Sequence, residues 1–270
     1  MRMSIRQAVL HFCRMTKDEL ALTVFLDIET VPAEKNFTDL DERHRTLWKK
    51  KAANLRRTHA WREALETDEE MYDRCAGIYA EFSRVIVIVA GQVFWKDDKP
   101  ELMLTRFRWH DEARLLRAFA FWMELLPSGT RLCAHNGKEF DFPVLARRML
   151  ANRVSIPALL SHAGRKPWEV PHLDTLELWK FGDHKHYTSL ESIAATLGLP
   201  SGKQELDGSR VRDTYYLEQD TDKILRYCSM DVETLARVFM RVKEWPDELV
   251  IDTGNVMECH FDMEVDHTIE

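Results

Sequence analysis

The chain has 270 residues, an apolar fraction of 45% and a formal net charge of −7, values of a folded globular protein and not of one that coats nucleic acid by bulk positive charge. No run approaches the roughly 20 apolar residues of a membrane-spanning helix, and the apolar stretch after the two early arginines is broken by His11 and Cys13, unlike a secretory leader. Cys13, Cys75, Cys133, Cys228 and Cys259 are odd in number and never form a C-x-x-C pair, which argues against a disulfide framework or a cysteine zinc site and for a reducing, cytoplasmic setting.

In chain order, residues 1–21 read as an N-terminal extension. Leu22 to Val31 reads as a strand with Val24, Leu26 and Ile28 on one face. A helical region runs from about Leu40 to Ala80, and its basic part is Lys49-Lys50-Lys51 through Arg56-Arg57. Ser83 to Phe94, rich in Val and Ile, reads as a buried central strand, with Leu102 to Trp109 as its neighbour. Asp111 starts a helix to about Leu126, Arg131 to Ala134 is a short strand, and Phe142 to Met149 is helical. A loop with Gly164, Pro167 and Pro171 leads to His172-Leu173-Asp174, then to helices near Ser189–Leu197 and Thr221–Lys243. From Pro246 the chain is acidic and reads as a loose tail. The alternation predicts one α/β domain over residues 22–245 with a mixed central sheet flanked by helices.

Three segments carry acids in unusual places. On the first strand Asp27 and Glu29 share a face opposite Val24, Leu26 and Ile28, and like charges so close repel unless a proton or a cation intervenes. A solvated edge face is the plain alternative, which the apolar neighbours Phe25 and Val31 disfavour. Asp141 precedes Phe142-Pro143-Val144-Leu145, where an ordinary helix cap is its more natural role taken alone, and Asn136-Gly137 before it can be only a turn. Asp231 lies within the helical stripe of Ile224, Cys228, Leu235, Val238 and Val242; a buried carboxylate needs a partner, either a metal or Tyr227 one turn earlier.

Taken together, Asp27-Ile28-Glu29-Thr30, Asn136 to Phe140-Asp141 and Tyr227 to Asp231 resemble the three exonuclease motifs of the DEDD superfamily in its Tyr-bearing (DEDDy) form. The His-bearing form would need His five residues before Asp231, where Arg226 stands. More narrowly, the chain resembles the stand-alone bacterial family of predicted 3′–5′ exonucleases related to the proofreading domain of family-B DNA polymerases. Tyr72-Asp73-Arg74-Cys75-Ala76-Gly77, Glu81-Phe82 and Leu206-Asp207-Gly208-Ser209-Arg210-Val211 add to the likeness.

The resemblance implies a ribonuclease H-like fold and removal of nucleotides from a 3′ end, with single-stranded DNA as the expected substrate and two divalent cations, Mg²⁺ or Mn²⁺, as cofactors. It implies metal-holding roles for Asp27, Glu29, Asp141 and Asp231, water positioning by Tyr227, and contacts to the terminal nucleotides from Thr30, Asn136 and Phe140. Two other readings stand beside it: an exoribonuclease similar to ribonuclease D, and a non-catalytic nucleic-acid-binding domain on the same fold. His184-Lys185-His186 lacks a third ligand for a metal site. Arg165-Lys166 near Trp168, with the basic run at Lys49–Lys51 and Arg56-Arg57, reads as a solvated face or as a contact to phosphate or a stacked base, and Asp174 as a helix cap or a support for the site.

Overall fold

The structure is a computed structural model and describes residues 15–57, 67–183, 187–201, 206–246 and 249–258. Among the described residues six strands form a mixed sheet: β1 (Thr23–Pro32), β2 (Ser83–Lys96), β3 (Lys99–Arg108), β4 (Arg131–Ala134), β5 (Leu173–Asp174) and β6 (Val250–Glu258). Their order is β5-β4-β1-β2-β3-β6. β1, β2 and β3 are antiparallel neighbours, while β4 runs parallel to β1, β5 parallel to β4 and β6 parallel to β3. Asp97 and Asp98, both at positive φ (47° and 65°), make the tight β2–β3 turn, a backbone geometry whose twist matches that of the strands it joins.

The helices are α1 (Lys17–Ala21), α2 (Glu42–Leu55), α3 (Asp68–Cys75), α4 (Glu112–Glu124), α5 (Asp141–Ala151), α6 (Thr175–Lys180), α7 (Leu190–Thr196) and α8 (Thr221–Val242), with a short helical turn and a π-helical turn (Thr214–Glu218) before α8. They flank the sheet on both sides. Val24, Leu26 and Ile28 of β1 bury against α4 and α5, whereas Phe25 and Val31 bury against α8 through Cys228, Val232 and Phe239. The period of two along β1 thus meets a different helical layer on each face. Gly91 of β2 lets α8 come close, since a Cβ there would lie 2.8 Å from Val232 Cγ1. The mixed central sheet with helices on both sides is the α/β architecture expected.

The sequence reading needs three corrections here. The helical region over 40–80 is two helices, α2 and α3, which build a satellite core of Trp48, Ala52, Met71 and Tyr72; residues 58–66 lie outside the described residues. The expected loose tail instead contributes β6, because the outer edge of β3 offers unpaired backbone groups that a returning chain can satisfy. At the other end, α1 belongs to what read as an extension, yet its Leu20 is fully buried in the α8-side core.

Candidate active site

β4 pairs with β1 only over Thr23, Val24 and Phe25 and stops at Ala134. Beyond that point no strand among the described residues lies beside that edge of β1, at the carboxyl ends of the parallel strands, where open α/β sheets place their ligands. Asp27 and Glu29 sit on this stretch of β1, on the face turned to α8. α8 brings Tyr227, Cys228 and Asp231 across the same face, the spacing of three to four residues stacking them on one side. Asp141, first residue of α5, enters through the gap: its carboxylate takes up the Ile28 backbone amide that a longer β4 would have used.

The tightest grouping is one carboxylate oxygen each of Asp27 and Glu29 with Cys228 Sγ, all within 4.8 Å of one another. Asp27 Oδ2 is shut off from solvent and has no hydrogen-bond partner among the described residues. Burial, then the charges of Glu29, Asp231 and Asp141, push the Asp27 carboxyl well above the usual carboxylate range. Asp141 is pushed up to about 7, first by burial and also by Asp174, against the opposing pull of backbone amides. These acids therefore lie within one another's electrostatic reach, and a cation would remove the conflict that protonation otherwise relieves. The cluster's oxygens suit hard divalent ions. The Cys228 thiol does not compete: burial and the neighbouring acids hold it protonated, and it donates to the Asp27 carbonyl at 3.4 Å.

Two roles weighed for single residues resolve here. Asp141 is not a helix cap, because Phe140 occupies that position and Asp141 is itself buried in the first turn. Asp231 is half-buried at the margin of the α8 stripe, where Tyr227, itself buried, hydrogen-bonds it. Burial and then the charges of Asp231, Glu29 and Asp27 push the Tyr227 phenol far above its ordinary value, so it holds its proton at neutral pH. Gly208, in the Leu206–Val211 segment, faces the Tyr227 hydroxyl, 3.9 Å from where a Cβ would be.

The three substrate candidates neighbour the acids along the chain, Thr30 after Glu29 and Asn136 and Phe140 before Asp141. Thr30 Oγ1 donates to the Gly77 carbonyl at 2.7 Å, tying the end of β1 to the turn after α3. Asn136 adopts positive φ (61°), which Asn tolerates better than most residues. Gly137 follows because a Cβ there would fall 2.3 Å from the Ala134 Cβ. Phe140 is half-buried against the core under α5. Sequence reasoning took Cys228 for a core residue only; its signal was its place three residues before Asp231. Tyr187, which no motif marks, has its hydroxyl pushed above its ordinary value by burial and then by the charges of Asp141, Asp174, Asp231 and Asp27. His184-Lys185-His186 lies outside the described residues. Lys166 stands over the Trp168 ring (5.3 Å) and Lys51 over Tyr79 (4.0 Å), so these basic residues have partners of their own.

No helix among the described residues is long and apolar enough to cross a membrane. Comparison with curated proteins returned no match. Among solved structures, the family B DNA polymerase from the hyperthermophilic archaeon Pyrobaculum calidifontis aligns at 14% identity and a TM-score of 0.48, covering 81% of this chain and 24% of the polymerase. The chain thus spans about a quarter of that protein's length. One family model matches residues 78–260, about two-thirds of the chain, including Asp141, Tyr227 and Asp231; Asp27 and Glu29 precede the matched stretch. On that match, the protein belongs to the family of predicted 3′–5′ exonucleases related to the exonuclease domain of PolB.

Proposed function

We propose that this protein removes nucleotides from the 3′ end of single-stranded DNA by the DEDDy route, with two divalent cations, Mg²⁺ or Mn²⁺, held by Asp27, Glu29, Asp141 and Asp231. The observation that carries the reading is the Asp27 carboxylate, with a buried oxygen lacking a hydrogen-bond partner and three further acids in electrostatic reach. When bound, such ions stabilise charge on the phosphoryl oxygens and make water a better nucleophile. Tyr227, protonated and donating to Asp231, keeps an oxygen lone pair that can accept a hydrogen from the attacking water. It orients that water and does not act as a base. Asp141 lies in the first turn of α5, where the helix N-terminus adds positive potential near the leaving oxygen.

In this reading Thr30, Asn136 and Phe140, each close in the chain to a motif acid, contact the terminal nucleotides. Because the Thr30 hydroxyl hydrogen is engaged by Gly77, Thr30 contributes as an acceptor. The buried free thiols Cys75, Cys133 and Cys228 support a reducing, cytoplasmic setting.

A 5′-labelled single-stranded oligonucleotide tests the proposal. The expected result is a ladder shortening from the 3′ end that needs Mg²⁺ or Mn²⁺ and stops when the 3′ terminus is blocked. Asp27→Ala and Asp231→Ala abolish it, and Tyr227→Phe leaves a measurable remainder. Wild-type turnover by Asp231→Ala, or digestion halted by a 5′ block instead, overturns the assignment. A matched RNA strand in the same assay separates DNA from RNA preference.

A further inference from the structure

Tyr187 has no part in the reaction as described, yet it stands beside the turn that carries Asn136 and Asp141. The residue is 67% exposed, so its ring contributes little to a core. It stands edge-on to His135, with ring centroids 6.0 Å apart and planes at 67°. His135 immediately precedes Asn136 in the turn that leads to Asp141. Its Nε2 lies 2.8 Å from the Thr188 carbonyl, which can only accept, so Nε2 carries the hydrogen and Nδ1 accepts from the Thr175 hydroxyl at 2.9 Å. One imidazole therefore clips the residue after Tyr187 to the turn carrying Asp141. Desolvation, then the charges of Asp141, Asp174, Asp231 and Asp27, push the Tyr187 hydroxyl above its ordinary value.

An exposed aromatic ring, braced from one edge, carries no charge to pair with a phosphate. The neutral, flat part of a nucleic acid is its base, and stacking on an aromatic ring is open to every base. We propose that Tyr187 is a stacking platform for the nucleobase at the 3′ terminus of a single strand. This rests on the exonuclease reading and adds a base subsite to it.

The experiment uses the full chain and a single strand carrying 2-aminopurine at its 3′ end, with Ca²⁺ in place of the catalytic ions. Wild-type protein is expected to quench the terminal 2-aminopurine on binding. Tyr187→Ala loses the quench and weakens binding on the order of tenfold, while Tyr187→Phe and Tyr187→Trp restore both, which a merely structural role would not predict for Trp. Equal quenching by Tyr187→Ala, or no quenching by the wild type, overturns the proposal. Digestion in Mg²⁺, assayed separately, distinguishes the two claims. Tyr187-dependent quenching without digestion removes the exonuclease reading and leaves the subsite; digestion with unchanged binding by Tyr187→Ala does the reverse.

Discussion

The carboxylate of Asp174 accepts three backbone amides, Asn136 N–H and Leu176 N–H at 2.9 Å on Oδ1 and Lys138 N–H at 3.2 Å on Oδ2. It caps α6 and at the same time holds the turn that aims Asp141, so the two roles weighed for it are one. An amide at this position would set an NH₂ group against a backbone N–H, leaving a buried donor without an acceptor. Asp174→Asn should therefore cost about 1–3 kcal/mol in denaturant unfolding. Activity measured well below the melting temperature should fall as well, because the turn carrying Asn136 and Asp141 shifts. Unchanged turnover in that variant would separate the turn from the chemistry.

At the scale of elements, the placement of α5 depends on a buried ion pair. Arg148 of α5 meets Glu112 of α4 through Nη2 at 2.6 Å and Nε at 2.9 Å, and the same carboxylate accepts Val85 N–H at 2.8 Å and Asn152 Nδ2 at 2.9 Å. Arg148 also donates to the Ala80 carbonyl at 3.0 Å. One carboxylate thus ties two helices to β2, with its lone pairs filled by good geometry. Truncating one partner leaves the other charge buried, so Glu112→Ala should destabilise by about 3–5 kcal/mol. Equilibrium unfolding of Glu112→Ala, Arg148→Ala and the double variant measures the coupling; the double variant should be less destabilised than the two single losses added together.

For the whole molecule, the concentrated acids make stability depend on pH and on cations. Asp27 and Asp141 have folded-state pKa values raised above their ordinary ones, to about 7 for Asp141. Their contribution is complete below the unfolded carboxylate pKa and is lost as pH rises through the folded value. His172 acts in the opposite sense: burial lowers its imidazole to about 4, so stability is lost as pH falls from about 6.5 towards 4. The acid signature is thus clearest from about pH 6.5 to 8, where metal-free protein should melt at progressively lower temperature. Asp141→Asn should flatten that slope. Mg²⁺ or Mn²⁺ should raise the wild-type melting temperature most at the alkaline end, through preferential binding to the folded state, and do little for Asp27→Asn. Thermal melts at fixed ionic strength with and without chelator check both.

By itself the sequence determined what is local. Alternation along Val24 to Ile28 placed Asp27 and Glu29 on one face, the Val- and Ile-rich run named the central strand, and helical spacing set Tyr227 and Asp231 one turn apart. The fold class followed from the order of such elements. Only the tertiary structure decided where β4 stops, and that gap admits Asp141 from the opposite side of the sheet. It also decided that Cys228 faces Asp27, that Asp174 braces a turn 36 to 38 residues away, that Tyr187 stands against His135, and that the final segment returns as β6. The physical reason is common to these cases. Periodicity records which face a side chain takes on its own element, whereas contacts between distant elements depend on where strands end and how closely helices approach, and no local pattern encodes either.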